Sequence, residues 1–449
     1  MKKITFTLLL LLSCYQWLRA QCPTTDITLS SQGQINSFPM NYPGCKNILG
    51  SLTIQENTED ITNLDSLSQI NSIAGNMNLF FTDQLTSLSG LESLTFIGGN
   101  LDVDENSGLT SLSGLESLTS IGGRLILSYN NAITNLSGLD NLTSIGGVLS
   151  IQDQDDLTNL SGLDNLTSIG GLSIIYCDAL TNLSGLDNLT SIGGFLSFEH
   201  NHVLTSLSSL NNVTFLSGYI RVNNNDALTN LNGLGNLTSI GGYLTILNND
   251  ALTSLSGLDS VSSIGGDLTI QNNHALTNFS SLENLTSISG FLSIREMDVL
   301  TSLSGLDNIN PAIITGVYIQ KNPQLVTCNV ESICSYLENS GNANISNNAS
   351  GCDSVPEILA ACQVPVKVPF DENEQVQVFP NPTNGILYIQ CSGHCESTYR
   401  IRNSIGSLIR AEQLNSMDYL DISNLSNGLY LIEIGIGNPS IIKRIVKTE

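Results

Sequence analysis

Leu109-Thr-Ser-Leu112-Ser-Gly-Leu115-Glu-Ser-Leu118-Thr-Ser-Ile121-Gly-Gly-Arg-Leu125-Ile-Leu127-Ser-Tyr-Asn130 is the stretch on which the fold turns. Its apolar positions are spaced 3, 3, 3, 3, 4 and 2. The last pair, Leu125 and Leu127, alternates as a strand does. The Gly122-Gly123 pair reads as a tight corner where positive φ is inexpensive. The phrase Leu-Thr-Ser/Asn-Leu recurs from Ile61 through Leu85, Leu109, Ile133, Leu157, Leu180, Leu204, Leu228, Leu252 and Leu276 to Leu300. Every step is 24 residues except one of 23, where a residue is missing after Gly171. One such unit cannot bury its apolar face alone, so the repetition predicts a coil whose turns stack in parallel.

Aligning the Leu-x-Ile strand gives twelve rungs, starting at Leu52, Met77, Leu101, Leu125, Leu149, Leu172, Leu196, Ile220, Leu244, Leu268, Leu292 and Val317. Five residues beyond these starts lies a column holding Asn57, Asn106, Asn130, Asn201, Asn225, Asn249, Asn273 and Asn322. Stacked amides at an inside corner can satisfy backbone groups of neighbouring turns. Cys177 falls in the same column and reads as a small buried thiol in place of an asparagine.

The composition agrees with a β-coil. Only 12% of the 449 residues are charged, and Ser, Asn, Thr and Gly, all poor helix formers, are abundant. The net charge of −25 excludes nucleic acid as a partner, because phosphate binding needs a Lys/Arg footprint. Met1-Lys2-Lys3 followed by an apolar run to Leu12 reads as a signal peptide, cleaved after Ala20 or, as a lipoprotein, processed at Cys14. Ten cysteines in an exported chain point to disulfides. Cys22 and Cys45 precede the repeats, Cys328, Cys334, Cys352 and Cys362 follow them, and Cys391 and Cys395 share a short tail loop.

The motif Leu-x-x-Ile-Gly-Gly-x-Leu-x-Ile-x-x-Asn resembles the leucine-rich, receptor L-type β-helix of cell-surface proteins, over roughly Leu52 to Cys362. The segment Cys328 to Cys362 is similar to the cysteine cap of bacterial versions, which implies Cys328 paired with Cys352 and Cys334 with Cys362. After a Pro-containing acidic linker, short β-rich runs separated by turn residues suggest a small β-sandwich. Its ordered features resemble the C-terminal sorting domain of the bacterial type IX secretion system. They are Pro380, Asn381, Pro382 and Gly385 at the start, Gly406, Gly428 and Tyr430 in later turns, and Lys443 and Lys447 in a basic end. That resemblance implies passage through the type IX machinery, with the mature chain released or attached to outer-membrane lipopolysaccharide.

The expected fold is therefore all-β: a right-handed parallel β-solenoid followed by a small Ig-like β-sandwich. The expected divisions are a signal peptide (1–20), an N-terminal cap (21–50), repeats (51–327), a cysteine-rich cap (328–363), a linker (364–376) and the sorting domain (377–449).

Chemistry is sparse. His200 and His202 lack a third ligand nearby, and the acidic turn Asp153, Asp155 and Asp156 lacks the nonapeptide pattern of calcium-binding solenoids, so no metal and no cofactor are expected. A polysaccharide lyase needs a base and a hydrolase needs paired carboxylates, yet Arg124, Arg221 and Arg295 are the only Lys or Arg between Leu52 and Val317. An enzyme is not expected. Binding fits better. The outward position before each rung holds Phe195, Tyr219, Tyr243 and Phe291, with Arg221, Glu199 and Arg295 beside it. Such a row suits a glycan or a protein ligand, although the plainer reading of the stack is stabilisation of the sheet. Phe80 and Phe81 with Asp102, Asp104 and Glu105 form a second patch. The threonine of every repeat phrase, from Thr62 to Thr301, forms a ladder that resembles those of ice-binding proteins. The reading is an exported binding or adhesion protein, with an ice-binding solenoid or a polysaccharide-active β-helix as alternatives.

Overall fold

A computed structural model describes residues 22–57, 60–339, 341–363, 376–379, 381–383, 385–391, 398–403, 407–413, 419–434 and 441–448. The signal peptide, most of the linker, Pro380, Cys395 and Gly406 lie outside them. The chain divides between Gln363 and Val364 into two compact units.

The first unit is a parallel β-solenoid. Its main ladder has fourteen strands rather than twelve. The rungs read from the repeat run in strict register, Leu52 against Met77, Leu125 against Leu149 and Leu292 against Val317. Ile27–Leu29 adds a strand below Leu52–Gln55, and Ala343–Ser346 adds one above Gly316–Gln320. Neither carries the repeat phrase, so only the pairing reveals them. A second, shorter column comes from the Ser-Ile dipeptide before the glycine pair, as in Ser120–Ile121 against Ser144–Ile145.

The leucines at intervals of three, with both strand positions, point into a continuous core in which most side chains are entirely shielded from solvent. Each turn's backbone donates to the next at that core's edge, which lets a 24-residue unit bury its polar main chain. Helix Gln32–Asn41 closes one end by inserting Ile35 and Phe38, and helices Glu331–Glu338 and Val355–Gln363 close the other. Disulfides sit at those ends: Cys22–Cys45, Cys328–Cys352 and Cys334–Cys362. End turns have a stacking neighbour on one side only, so cross-links there offset what the array cannot supply.

Two readings of the repeat need correction. The Gly-Gly pair is not where φ turns positive. Positive φ falls on the glycine of Leu-Ser-Gly-Leu, as at Gly114 (φ 111°) and Gly138 (φ 108°). The pair is small for a different reason: a Cβ on Gly122 would meet the Gly98 carbonyl oxygen at 2.3 Å. Turns approach too closely there for a side chain. Asn57 is also not part of the inner column. It is exposed, because Leu52 and Ile61 are nine residues apart whereas Met77 and Leu85 are eight, and the additional residue carries Asn57 out of register.

The column itself is buried, from Thr82 and Asn106 to Asn322. In the rungs of Asn106, Asn130, Asn225, Asn249 and Asn273, Nδ2 donates to the carbonyl two residues earlier and to one in the turn below, while Oδ1 accepts the backbone N–H of the adjacent column residue. Asn249 does this with Leu247 (2.8 Å), Val222 (3.1 Å) and Asn225 (3.0 Å). The run breaks at Gln154, Cys177 and Met297. Gln154 Oε1 is buried with no hydrogen-bond partner. Cys177 Sγ occupies the amide's place, 3.6 Å from the Ile175 carbonyl. Burial pushes the Cys177 thiol up to about 12. Cys177 should therefore resist alkylation at pH 8 until the solenoid unfolds. Cys177→Asn, which rebuilds the donor–acceptor pattern, should raise unfolding stability by about 1–2 kcal/mol. Denaturant midpoints with a thiol-labelling time course check both; rapid labelling of the native chain would contradict the buried assignment.

The second unit consists of two antiparallel sheets. Val376–Phe379, Ile386–Cys391 and Tyr419–Asp421 form one; Thr398–Asn403, Leu408–Gln413, Gly428–Ile434 and Ile441–Lys447 form the other. Leu387, Ile389, Ile401, Ile422, Ile432 and Ile445 fill the core between them.

Candidate functional site

The six outward candidates do not form one row. Phe195, Tyr219 and Tyr243 stack face to face, with centroids 4.8 and 4.5 Å apart and planes within 6° and 9°. Asp267 holds the same position in the next rung and ends the run; its carboxylate accepts the Phe291 N–H at 2.9 Å. Phe291 then meets Tyr318 edge-on at 5.7 Å, with the Arg295 guanidinium 5.1 Å over the Tyr318 ring. Tyr318 was not among the expected residues. It sits one position inside its strand, after Gly316, so a scan of the position before each rung passes over it.

The stack's geometry decides what it can offer. Parallel rings one rung apart cover one another's faces, and Phe195 also lies against Gly171, where a Cβ would be 3.3 Å from the ring. Ring edges and hydroxyls remain outward. Beside them Arg221 lies 5.9 and 5.8 Å from the Tyr219 and Tyr243 centroids, donates to the Tyr243 hydroxyl at 3.2 Å and pairs with Glu199 at 3.5 Å. Ser197 donates to Glu199 at 2.7 Å. Burial, then the neighbouring Tyr243, raises the Tyr219 phenol. The result is a half-buried strip of phenol, guanidinium and carboxylate groups, suited to hydrogen-bonding a polar ligand edge more than to stacking one.

Other polar columns have structural partners. Carboxylates from Glu92 to Asp307 accept the N–H of the positive-φ glycine two residues before them, as Asp140 does from Gly138 at 2.9 Å. Much of the acidity of the repeats is thus part of the turn. Threonine hydroxyls donate to the carbonyl one turn below, as Thr110 does to Thr86 (3.1 Å) and Thr205 to Thr181 (3.0 Å). His202 pairs with Asp226 at 2.7 Å, while His200 stacks on Tyr176 at 4.5 Å. Among the described residues no three His, Cys, Asp or Glu side chains gather as a metal centre requires. In the second patch Phe80 and Phe81 tilt against each other at 6.5 Å, and burial raises the Asp102 carboxyl.

In the second unit Asn381 clamps the last strand, donating to the Arg444 carbonyl and accepting from the Val446 N–H, both at 2.8 Å. The Tyr430 hydroxyl donates to the Ser426 carbonyl at 2.7 Å, and Lys447 reaches Asn427 at 3.3 Å. Gly428 has φ 151° and Gly385 φ 138°. The start, the late turn and the basic end therefore meet.

A family model described as the receptor L domain matches residues 44–118, 117–193 and 238–338. A model described as the secretion system C-terminal sorting domain matches residues 377–448. No curated protein matches the chain. The sorting domain marks the chain for export to the cell surface or the medium and implies contact with the secretion machinery. No described helix is long and apolar enough to cross a membrane.

Proposed function

We propose a recognition role for this chain, which belongs to the receptor L domain family: it is exported and presents one solenoid face to a glycan or protein ligand, without catalysing a reaction. The observation that carries this reading is the strip of Phe195, Tyr219 and Tyr243 with Arg221 and Glu199, three stacked rings beside an ion pair on the outward sheet. Phe291, Arg295 and Tyr318 supply a second contact further along. Hydroxyl-rich sugars and polar protein loops both suit exposed ring edges flanked by an ion pair. The regularity of the rungs supports a non-catalytic reading. The threonine ladder does not favour ice binding, because Thr110, Thr158, Thr181, Thr205 and Thr253 already donate their hydroxyls to carbonyls of the turn below, which interrupts a free hydroxyl array. After removal of the sorting domain, attachment to lipopolysaccharide would leave this face displayed outside the cell.

The test is a screen of the mature chain against glycan arrays and surface proteins, repeated with Tyr219→Ala and Tyr243→Ala combined. Hits should weaken about tenfold or more, as expected when central aromatic anchors are truncated. Unchanged hits in a folded double variant would assign the stack to stabilising the sheet alone.

A further inference from the structure

A separate feature runs along the solenoid's corner. From the Met77 rung to the Val317 rung the fourth residue after each start lies in the left-handed region, with φ between 50° and 58°, and in none of them is it glycine. Asn224, Asn248 and Asn272 are residues that tolerate this conformation. Phe81, Tyr129 and Tyr176 are not, yet they occupy the same corner with φ of 55°, 54° and 55°. They gain little burial there, being 51%, 47% and 44% exposed. The chain thus places bulky rings where an asparagine would fold more easily, and leaves them in solvent. Tyr176 stacks on His200 and Phe81 tilts against Phe80, but these contacts leave about half of each ring in solvent, so core packing does not account for the rings.

Their order is regular. They occupy every second rung, with Glu105 and Asp153 between them. The negative charge of Asp153 raises the Tyr129 phenol, and one Asp153 oxygen is shielded without a hydrogen-bond partner. Between Lys46 and Arg221 the sequence has eighteen carboxylates and one cationic side chain, Arg124.

We propose that this corner binds a basic polyproline II segment of a partner protein, with apolar faces of the segment on Phe81, Tyr129 and Tyr176 and its cations beside Glu105 and Asp153. Three observations select that occupant. First, alternate rungs are about 9.5 Å apart, which matches one polyproline II turn of about 9.3 Å. A strand repeats its face every ~6.7 Å, and two helical turns span ~10.8 Å, so both drift out of register along the three rings. Second, corner backbone N–H groups already donate to the next turn, as Glu105 does to Ser128 and Tyr176 to Glu199, both at 3.0 Å. Strand addition has no edge to use, whereas a polyproline II ligand requires none. Third, rings alternating with carboxylates attract ammonium and guanidinium groups and repel anions.

The test is an anisotropy titration of the mature chain with a labelled eighteen-residue Lys-Pro-Pro repeat, alongside Lys-Gly-Gly and Glu-Pro-Pro repeats of equal length and a neutral β-linked oligosaccharide. Tyr129→Asn with Tyr176→Asn is the matched variant, since other rungs already fold with asparagine at this corner. Lys-Pro-Pro should bind about tenfold more tightly than Lys-Gly-Gly, lose about tenfold in the variant, and outcompete an inert Glu-Pro-Pro. Equal binding of both lysine peptides, or no loss in the variant, would reduce the effect to net charge and overturn the proposal. Displacement of the peptide by the oligosaccharide would overturn it in favour of a glycan. Loss in the Tyr219→Ala, Tyr243→Ala chain with the asparagine variant intact would assign the peptide to the stack instead.

Discussion

Replacement of Asn249 by alanine is expected to lower the unfolding stability of the solenoid by about 3–4 kcal/mol, with no change at the outward surface. The amide donates to Val222, Leu247 and Asn273 and accepts from both the backbone N–H and the side chain of Asn225. Alanine removes every one of these side-chain bonds and leaves the buried Asn225 N–H without its acceptor, while Asn273 Oδ1 keeps only the Asn249 backbone N–H and the Leu247 carbonyl only the Asn224 N–H. Water cannot replace the amide, because the site is fully enclosed. Equilibrium denaturation of the mature chain measures the loss. A change below 1 kcal/mol would mean that the column contributes little to holding turns together.

Gly114→Ala should be comparably severe, at about 3 kcal/mol. Gly114 has φ 111°, where L-residues are strained, and a Cβ there would meet the Leu88 carbonyl oxygen at 2.0 Å. Its N–H also donates to the Glu116 carboxylate at 2.9 and 3.0 Å, so relief of the clash would disturb the acidic turn. Alanine in place of a negative-φ glycine with open surroundings, such as Gly235, is the contrasting control. Thermal denaturation of the two variants separates local strain from a general effect of removing glycine.

Register was legible in the sequence because one apolar spacing recurs at a fixed period. Placing Leu125 inward places Leu149, Leu172 and Leu196 inward with it. What defeated the sequence was anything that depends on the neighbouring turn. The glycine pair read as a tight corner with positive φ, but a carbonyl of the turn below excludes any side chain at Gly122. The strand Ile27–Leu29 has no repeat phrase and exists because Leu52–Gln55 offers it an edge. Asn57 occupied the right position by counting and the wrong one in space, displaced by a single added residue.

The outward surface was legible by residue type and not by geometry. Phe195, Tyr219 and Tyr243 were visible as a row, whereas their mutual stacking, which hides the faces a sugar would use, follows from torsions that spacing does not encode. Tyr318 lay in a column that had shown no other aromatic residue. Of the corner rings, the sequence singled out only Phe81, as part of a patch with Phe80, and passed over Tyr129 and Tyr176. Their left-handed backbone sets them apart. In the tail, by contrast, order along the chain sufficed, because Asn381, Tyr430 and Lys447 each bond locally or to an adjacent strand.

The proposed division of labour has inner columns hold the coil together and outer rings recognise a ligand. The most direct measurement determines unfolding stability and ligand capture on the same two proteins, Asn249→Ala and the combined Tyr219→Ala, Tyr243→Ala variant. The expected result is a large fall in stability with capture intact for the first, and loss of capture with a stability change under about 1 kcal/mol for the second. A stack variant that unfolds readily yet still captures the ligand would contradict it, and would make those rings part of the scaffold.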